Sequence, residues 1–275
     1  MEQVSIARIV ANKNPTLGRW LPRFVLRWLT RIIHEDEINE ILQLCGHLQG
    51  LSLIHKTLEH LGVTYTLHGA ENLADTHRKL YLSNHPLGGF DGIILLDILG
   101  KHNPAIKTTV NDILMNIEPL QSLFLPINKH GAQTHDYVRQ LHEAYGSDAP
   151  ILYFPAGLCS RKINGRITDL EWKPSALKIA RTYHRDVVPI YFDGRNSNFF
   201  YRLANLRKRL RIKANIEMLF LAHELFKQRG THYDVFIGNP ILCDSLLQMQ
   251  TLAEMTAFVR QKVYELPKIV ADGLY

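Results

Sequence analysis

Cysteine is scarce in these 275 residues. The three present, Cys45, Cys159 and Cys243, are odd in number and far apart, which excludes a disulfide framework and a paired-thiol metal site and suits a reducing compartment. Long apolar runs are missing too: no stretch of about 18 uninterrupted apolar residues is available to cross a bilayer. The opening MEQVSIARIVANKN has neither the apolar segment nor the small-residue cleavage site of a secretory signal, so a cytoplasmic chain is expected. Repeats and low-complexity linkers are also absent. With 46% apolar against 21% charged residues, the chain is not disordered and can bury a real core.

Acidic residues fall short of basic ones. The net charge of +6 and pI near 9.2 favour an anionic partner. Up to Ile33 there are six basic residues and one acidic, a net of +5 that is most of the excess. Over residues 17–33, Trp20, Leu21, Phe24, Val25, Trp28, Leu29, Ile32 and Ile33 recur at helical steps, with Arg19, Arg23, Arg27 and Arg31 on another face. Pro22 places the start of the regular helix nearby. Two readings stand side by side: a helix packed on the domain, or an interfacial helix with tryptophans among acyl chains and arginines at lipid phosphates. FFYRLANLRKRLRIK, with six basic residues, suits an anionic membrane face or an acidic carrier protein equally well; no nucleic-acid motif accompanies it.

After Gly62 the period changes. VTYTLHG, KLYLSN, AIKTTV, SLFLPIN, ILYFPAG, DVVPIYFDG and YDVFIGNPI read as strands. DGIILLDILGKH, THDYVRQLHEAYG and KPSALKIARTYH read as helices between them, and later helices cover EMLFLAHELFKQRG and TLAEMTAFVRQKVYEL. The alternation predicts an α/β fold, a mostly parallel central sheet flanked by helices. Residues 1–62 are expected to form an N-terminal helical, membrane-surface subdomain, and residues 63–275 the α/β domain.

Ligands of such sheets gather at the carboxyl ends of the strands. There NHPLGGFDG puts His85 after a strand and Asp91 at the start of a helix, six residues on. A carboxylate holding one ring nitrogen makes the other an oriented general base. Gly88 and Gly89 supply the backbone freedom for the two to touch and leave room for substrate. Asp91 as a mere helix cap is the plainer alternative. A second polar turn, FPAGLCSRKINGR, follows another strand: amides around Gly157, with Ser160, Arg161 and Lys162, offer donors to an anion or oxyanion. Cys159 lacks a local histidine and is set aside as a nucleophile; His130, His135 and Asp136 lack metal-ligand spacing, so no metal is expected.

NHPLGGFD and FPAGLCSR resemble the first and third motifs of the phospholipid and glycerolipid acyltransferases, the lysophosphatidate acyltransferase superfamily. The middle motif falls in FLPINKHGAQ and the fourth is similar to VVPIYFDG, so the resemblance spans roughly residues 60–240. It implies a glycerolipid acyltransferase-like fold, His85 as catalytic base, Asp91 as its orienting acid, and Asn84, Gly88, Gly89, Lys129, Gly157, Ser160, Arg161 and Lys162 around the substrate. It also implies an acyl carrier protein or CoA thioester as co-substrate, a lyso-lipid acceptor, an anionic membrane surface at the cytoplasmic face, no nucleic acid and no other cofactor. The departures are specific. Five residues separate His85 from Asp91 where four are usual. Ala156 and Cys159 replace glutamate and the phosphate-binding arginine, and Lys129 is the nearest cation where an arginine belongs. These variations resemble the hemolysin-like branch, similar to O-acyltransferases of bacterial ornithine and glycine lipids. The expectation is acyl transfer to the hydroxyl of an N-(3-hydroxyacyl) amino acid. The alternatives are acylation of lysophosphatidate and, from another class, a non-catalytic membrane- or nucleic-acid-binding protein that keeps the fold.

Overall fold

The structure, a computed structural model, describes residues 4–13, 20–45, 47–128 and 135–272. The seven β-rich runs become β1 (Thr64–His68), β2 (Leu80–Ser83), β3 (Lys107–Asn111), β4 (Phe124–Asn128), β5 (Ile151–Tyr153), β8 (Val187–Asp193) and β9 (His232–Ile237), and two short strands not expected from the sequence, β6 (Arg161–Ile163) and β7 (Arg166–Thr168), lie between β5 and β8 in the chain. Seven of them form one sheet in the order β1-β9-β8-β2-β5-β3-β4, and β6–β7 is a separate hairpin. From β8 to β4 every neighbour is parallel. β9 runs antiparallel to β8, and β1 lies parallel to β9 at the edge.

Both faces of this sheet are covered, which is why β2 and β5 are buried along their whole length and read as apolar runs rather than alternating ones. Leu80, Leu82, Ile151 and Val187 pack with Ala176, Leu177 and Ala180 of the helix Ser175–Tyr183 and with Val259 and Val263 of the helix Leu252–Ala271. That last helix opens on a reciprocal cap: Thr251 Oγ1 accepts the Glu254 N–H and Glu254 accepts the Thr251 N–H. The helix Phe90–His102 is apolar almost all round and correspondingly buried along most of its length.

The chain divides into two compact units: Met1–Val63 with Asn196–Thr231, and Thr64–Arg195 with His232–Tyr275. The first segment ends at Val63, one residue beyond the boundary expected after residue 62. Residues 196–231, expected with the sheet, group instead with the N-terminal helices. Within that unit Trp28 meets Phe220 edge-on, and His34 stacks on His223 and on Phe226. The long helix expected over residues 217–230 is broken into a 3-10 turn, Ile216–Phe220, and a short helix, Leu221–Phe226. No described helix is long and apolar enough to cross a membrane.

Candidate active site

β2 ends at Ser83, and the chain leaves the sheet where the parallel strands reach their carboxyl ends. Asn84 stays with the sheet. Its Nδ2 donates to the Phe192 carbonyl at 3.0 Å and its Oδ1 accepts the Phe192 N–H at 2.7 Å. Both ends of the amide are thus engaged with β8 rather than facing a substrate.

The turn then folds back through Gly88 and Gly89, at φ +69° and +133°, conformations that side-chain-bearing residues rarely adopt. Gly89 caps the helix Phe90–His102, and Asp91 lies in its first turn. The Asp91 carboxylate is fully buried. It accepts the N–H groups of Leu87 at 2.9 Å, Gly89 at 3.1 Å and Gly92 at 2.8 Å. Its two oxygens lie 3.0 and 3.1 Å from His85 Nδ1. In a neutral ring this contact keeps the proton on Nδ1 and leaves Nε2 as the acceptor. The imidazole also stacks on Phe154, ring centres 4.1 Å apart and planes 29° from parallel, and its side chain is 15% exposed.

Burial by itself lowers the affinity of His85 for a proton, but the charge and hydrogen bond of Asp91, with the charge of Asp169 behind them, outweigh it. The net effect is a raised pKa. Burial by itself raises the Asp91 carboxyl. The His85 charge and the bonds from His85, Leu87 and Gly89 win, and the net is a lowered pKa. The two directions agree: the pair favours an ionised carboxylate beside an imidazole that accepts a proton readily.

The second polar turn comes alongside because β5 is the neighbour of β2. Ser160 N–H donates to the His85 carbonyl at 2.7 Å. The other expected donors are used within the turn. Gly157 N–H donates to the Phe154 carbonyl at 3.0 Å, and Ser160 Oγ donates to Asp169 at 2.5 Å. The Arg161 side chain, 1% exposed, donates to the Cys159 carbonyl at 2.6 Å and to Cys159 Sγ at 2.9 Å. An oxyanion role for these groups therefore does not follow from their placement. Lys162 stands exposed on β6. Lys129 and His130 lie outside the described residues, as do the side chains of His135 and Asp136. Among the described residues no group of three His, Cys, Asp or Glu side chains is placed to hold a metal ion.

The hairpin β6–β7 and the segment behind it are absent from the strands and helices that periodicity predicts. Asn164-Gly165, both at positive φ, is the two-residue turn signal that marks it. The hairpin carries the chain to Asp169 and Trp172, both buried, and to Lys173, whose N–H donates to the Pro155 carbonyl at 3.0 Å. The Lys173 ammonium lies 3.7 Å from where a side chain at Gly157 would begin, over the second turn.

This arrangement of strand end, histidine, glycine pair and aspartate lies within a region matched by the family model described as acyltransferase, which covers residues 8–273. The chain belongs to the acyltransferase family. Among curated proteins it is similar to the lyso-glycine lipid O-acyltransferase of Phocaeicola vulgatus, 42% identical over 264 residues, 96% of this chain and 95% of that one. The lyso-glycine lipid O-acyltransferase of Bacteroides thetaiotaomicron is 41% identical over 264 residues, 96% of this chain and 97% of that protein. Among solved structures, the 1-acyl-sn-glycerophosphate acyltransferase PlsC of Thermotoga maritima matches with a TM-score of 0.48 at 15% identity, covering 89% of this chain and 95% of that one. For an acyltransferase the His85–Asp91 pair has the chemistry that removes a proton from a hydroxyl nucleophile. Cys159 is fully buried, out of reach of a substrate that a thioester-forming nucleophile would have to meet.

Proposed function

We propose that this chain is a peripheral lyso-lipid O-acyltransferase acting on the hydroxyl of an N-(3-hydroxyacyl) amino acid of the lyso-glycine type. His85 Nε2 takes the proton of the acceptor hydroxyl as its oxygen attacks the carbonyl carbon of an acyl thioester. Asp91 holds Nδ1 and stabilises the imidazolium. The tetrahedral intermediate collapses with cleavage of the C–S bond, and the departing thiolate of acyl carrier protein or CoA recovers the proton from His85. The products are an ester and a free thiol, with no further reactant needed.

The observation that carries this reading is the contact of His85 Nδ1 with both oxygens of the buried Asp91 carboxylate at a strand's carboxyl end. The acceptor assignment draws on the likeness to the two lyso-glycine lipid enzymes and on the second turn. Ala156 offers no side-chain donor, and Arg161 is buried against Cys159. The exposed cations Lys162 and Lys173 suit a single carboxylate better than a phosphomonoester, which arginine usually grips with two donors.

The helical unit supports the peripheral part of the proposal. None of the helix Arg23–Ile33 is buried; Trp20 is 82% and Phe24 73% exposed. In the same unit Phe199, Leu206, Leu210 and Leu219 are exposed beside many of its basic residues. Aromatic and basic side chains together on one unit suit an anionic bilayer surface. A cavity of about 350 Å³ in this unit is lined by Ile32, Phe199 and Phe220 among basic side chains.

Competition between lyso-glycine lipid and lysophosphatidate for one acyl-carrier donor tests the assignment. A higher kcat/KM for the amino-acid lipid is expected. A higher value for lysophosphatidate would leave acyl transfer standing and remove the acceptor.

A further inference from the structure

We propose that Asp169 is the positioning residue of this site, a buried carboxylate that locks the His85 main chain to the Ser160 turn and sets its negative charge at the His85 main-chain N–H. The inference rests on His85 acting as the base. Asp169 is 84 positions away in sequence and 3% exposed. Its Oδ1 accepts the His85 N–H at 3.1 Å and the Ser160 hydroxyl at 2.5 Å, and its Oδ2 accepts the Trp172 indole N–H at 2.8 Å.

His85 and Ser160 follow different strands, and neither residue lies within the ladder that holds β2 to β5. Two links replace the ladder beyond the strand ends. The Ser160 N–H reaches the His85 carbonyl, and Asp169 takes the His85 N–H together with the Ser160 hydroxyl. These bonds close a ring through His85, Asp169 and Ser160 that fixes both main-chain polar groups of His85. Asp91 fixes its ring. A base held at both ends keeps Nε2 in place during proton transfer, and displacing such a group by about 1 Å costs roughly 10²-fold in rate.

Asp169 is itself supported from the final helix. Its N–H donates to Tyr264 Oη at 2.9 Å, and Arg260 donates to Thr168 Oγ1 at 3.0 Å. Three donors converge on its two oxygens, an arrangement that suits an ionised carboxylate. Burial pushes its pKa upward against the pull of Ser160, Trp172 and the His85 N–H. The charged groups acting on His85 are Asp91 and Asp169, which favour the imidazolium, and Arg161, which opposes it. Tyr191 and Tyr264 also face Asp169, each with its pKa raised first by burial.

The test compares wild type with Asp169→Asn, Asp169→Glu and His85→Ala, following kcat, both KM values and the pH dependence of kcat/KM. Asp169→Asn should lower kcat about 10-fold or more with acceptor and donor KM within about 3-fold, and move the acid limb of kcat/KM to lower pH. Asp169→Glu restores the charge without the geometry, so the acid limb should return towards wild type while kcat stays low. A folded Asp169→Asn enzyme with wild-type kcat, or with a lowered kcat and an unmoved acid limb, overturns the proposal. If Asp169→Asn does not fold, Ser160→Ala removes one side of the same ring. A kcat loss of about 5-fold with little change in KM supports positioning, and wild-type kcat refutes it. Wild-type turnover by a folded His85→Ala protein would instead remove the base on which the inference rests. An inactive His85→Ala beside an unaffected Asp169→Asn refutes the positioning role alone.

Discussion

Asp91→Asn removes one negative charge and replaces one acceptor oxygen by a donor. In the wild type both oxygens face only donors: Leu87 N–H on one, Gly89 and Gly92 N–H on the other, and His85 Nδ1 near both. Whichever way the new amide is rotated, its NH₂ meets at least one buried N–H, and it draws the proton of His85 onto Nε2 if it donates to Nδ1. The wrong nitrogen is then protonated, so kcat should fall at least about 10²-fold. An unsatisfied buried donor costs about 1–3 kcal/mol and loss of the paired charge adds to it, so a total near 2–4 kcal/mol is expected. That corresponds to roughly 5–15 °C in Tm for a unit of this size.

The pH dependence supplies an independent check. Asp91 is depressed, so its contribution is present above the unfolded carboxyl value near 4 and is lost as pH falls through the folded one. His85 is raised, so its contribution is complete below the unfolded imidazole value near 6.5 and is lost as pH rises through the folded one. The stability gap between wild type and Asp91→Asn should therefore be widest between about pH 4 and 6.5 and narrow on both sides. Turnover with a long-chain acyl-carrier donor and thermal unfolding across pH measure the two effects. A folded Asp91→Asn enzyme within about 5-fold of wild-type kcat, or a gap that ignores pH, would refute the reasoning.

Lys173→Ala should raise KM for a carboxylate-bearing acceptor about 3- to 5-fold, the scale of one exposed ion pair, and leave KM for the matching carboxamide unchanged; equal losses on both would show that Lys173 does not read the charge. Replacing Arg23, Arg27 and Arg31 together with glutamine should weaken partition onto anionic vesicles by about 3 kcal/mol, roughly 100-fold, with little effect on neutral ones. Unchanged sedimentation with phosphatidylserine vesicles at low salt would place the membrane contact elsewhere.

The sheet was legible because parallel strands covered on both faces write their burial as short apolar runs, and each such run in KLYLS, ILY and VVPIYFD became a strand. His85 and Asp91 were legible because their chemistry is compressed into one turn. Asp169 was not, since a single aspartate between Thr168 and Leu170 carries no local pattern and acquires its partners only when the hairpin folds back. The grouping of residues 196–231 with the N-terminal helices was hidden for a similar reason: periodicity shows that a helix has an apolar face, not what that face meets. Charge counting also misled. One of the six basic residues in FFYRLANLRKRLRIK, Arg207, turns inward to Glu217 with Nε–Oε2 at 2.8 Å and Nη2–Oε1 at 3.2 Å, so it contributes no surface charge.

The electrostatics around His85 bear on which acceptor such a site can take. Two carboxylates, Asp91 and Asp169, act on one imidazole, and Arg161, a cation that opposes them, is already held by Cys159. A phosphomonoester brings a charge of about −1.5 to −2 at neutral pH, which needs a firm cationic grip to lie near two buried carboxylates. A carboxylate brings one charge, can be met by a flexible lysine at the solvent edge, and leaves the proton affinity of His85 less disturbed. Negative charge around His85, with Ala156 and Cys159 where glutamate and arginine are usual, is consistent with the weakly charged acceptor proposed above. The same reasoning ties base strength to acceptor selection: cationic replacements that improved phosphate binding near Arg161 would also lower the pKa of His85 and weaken it as the proposed base.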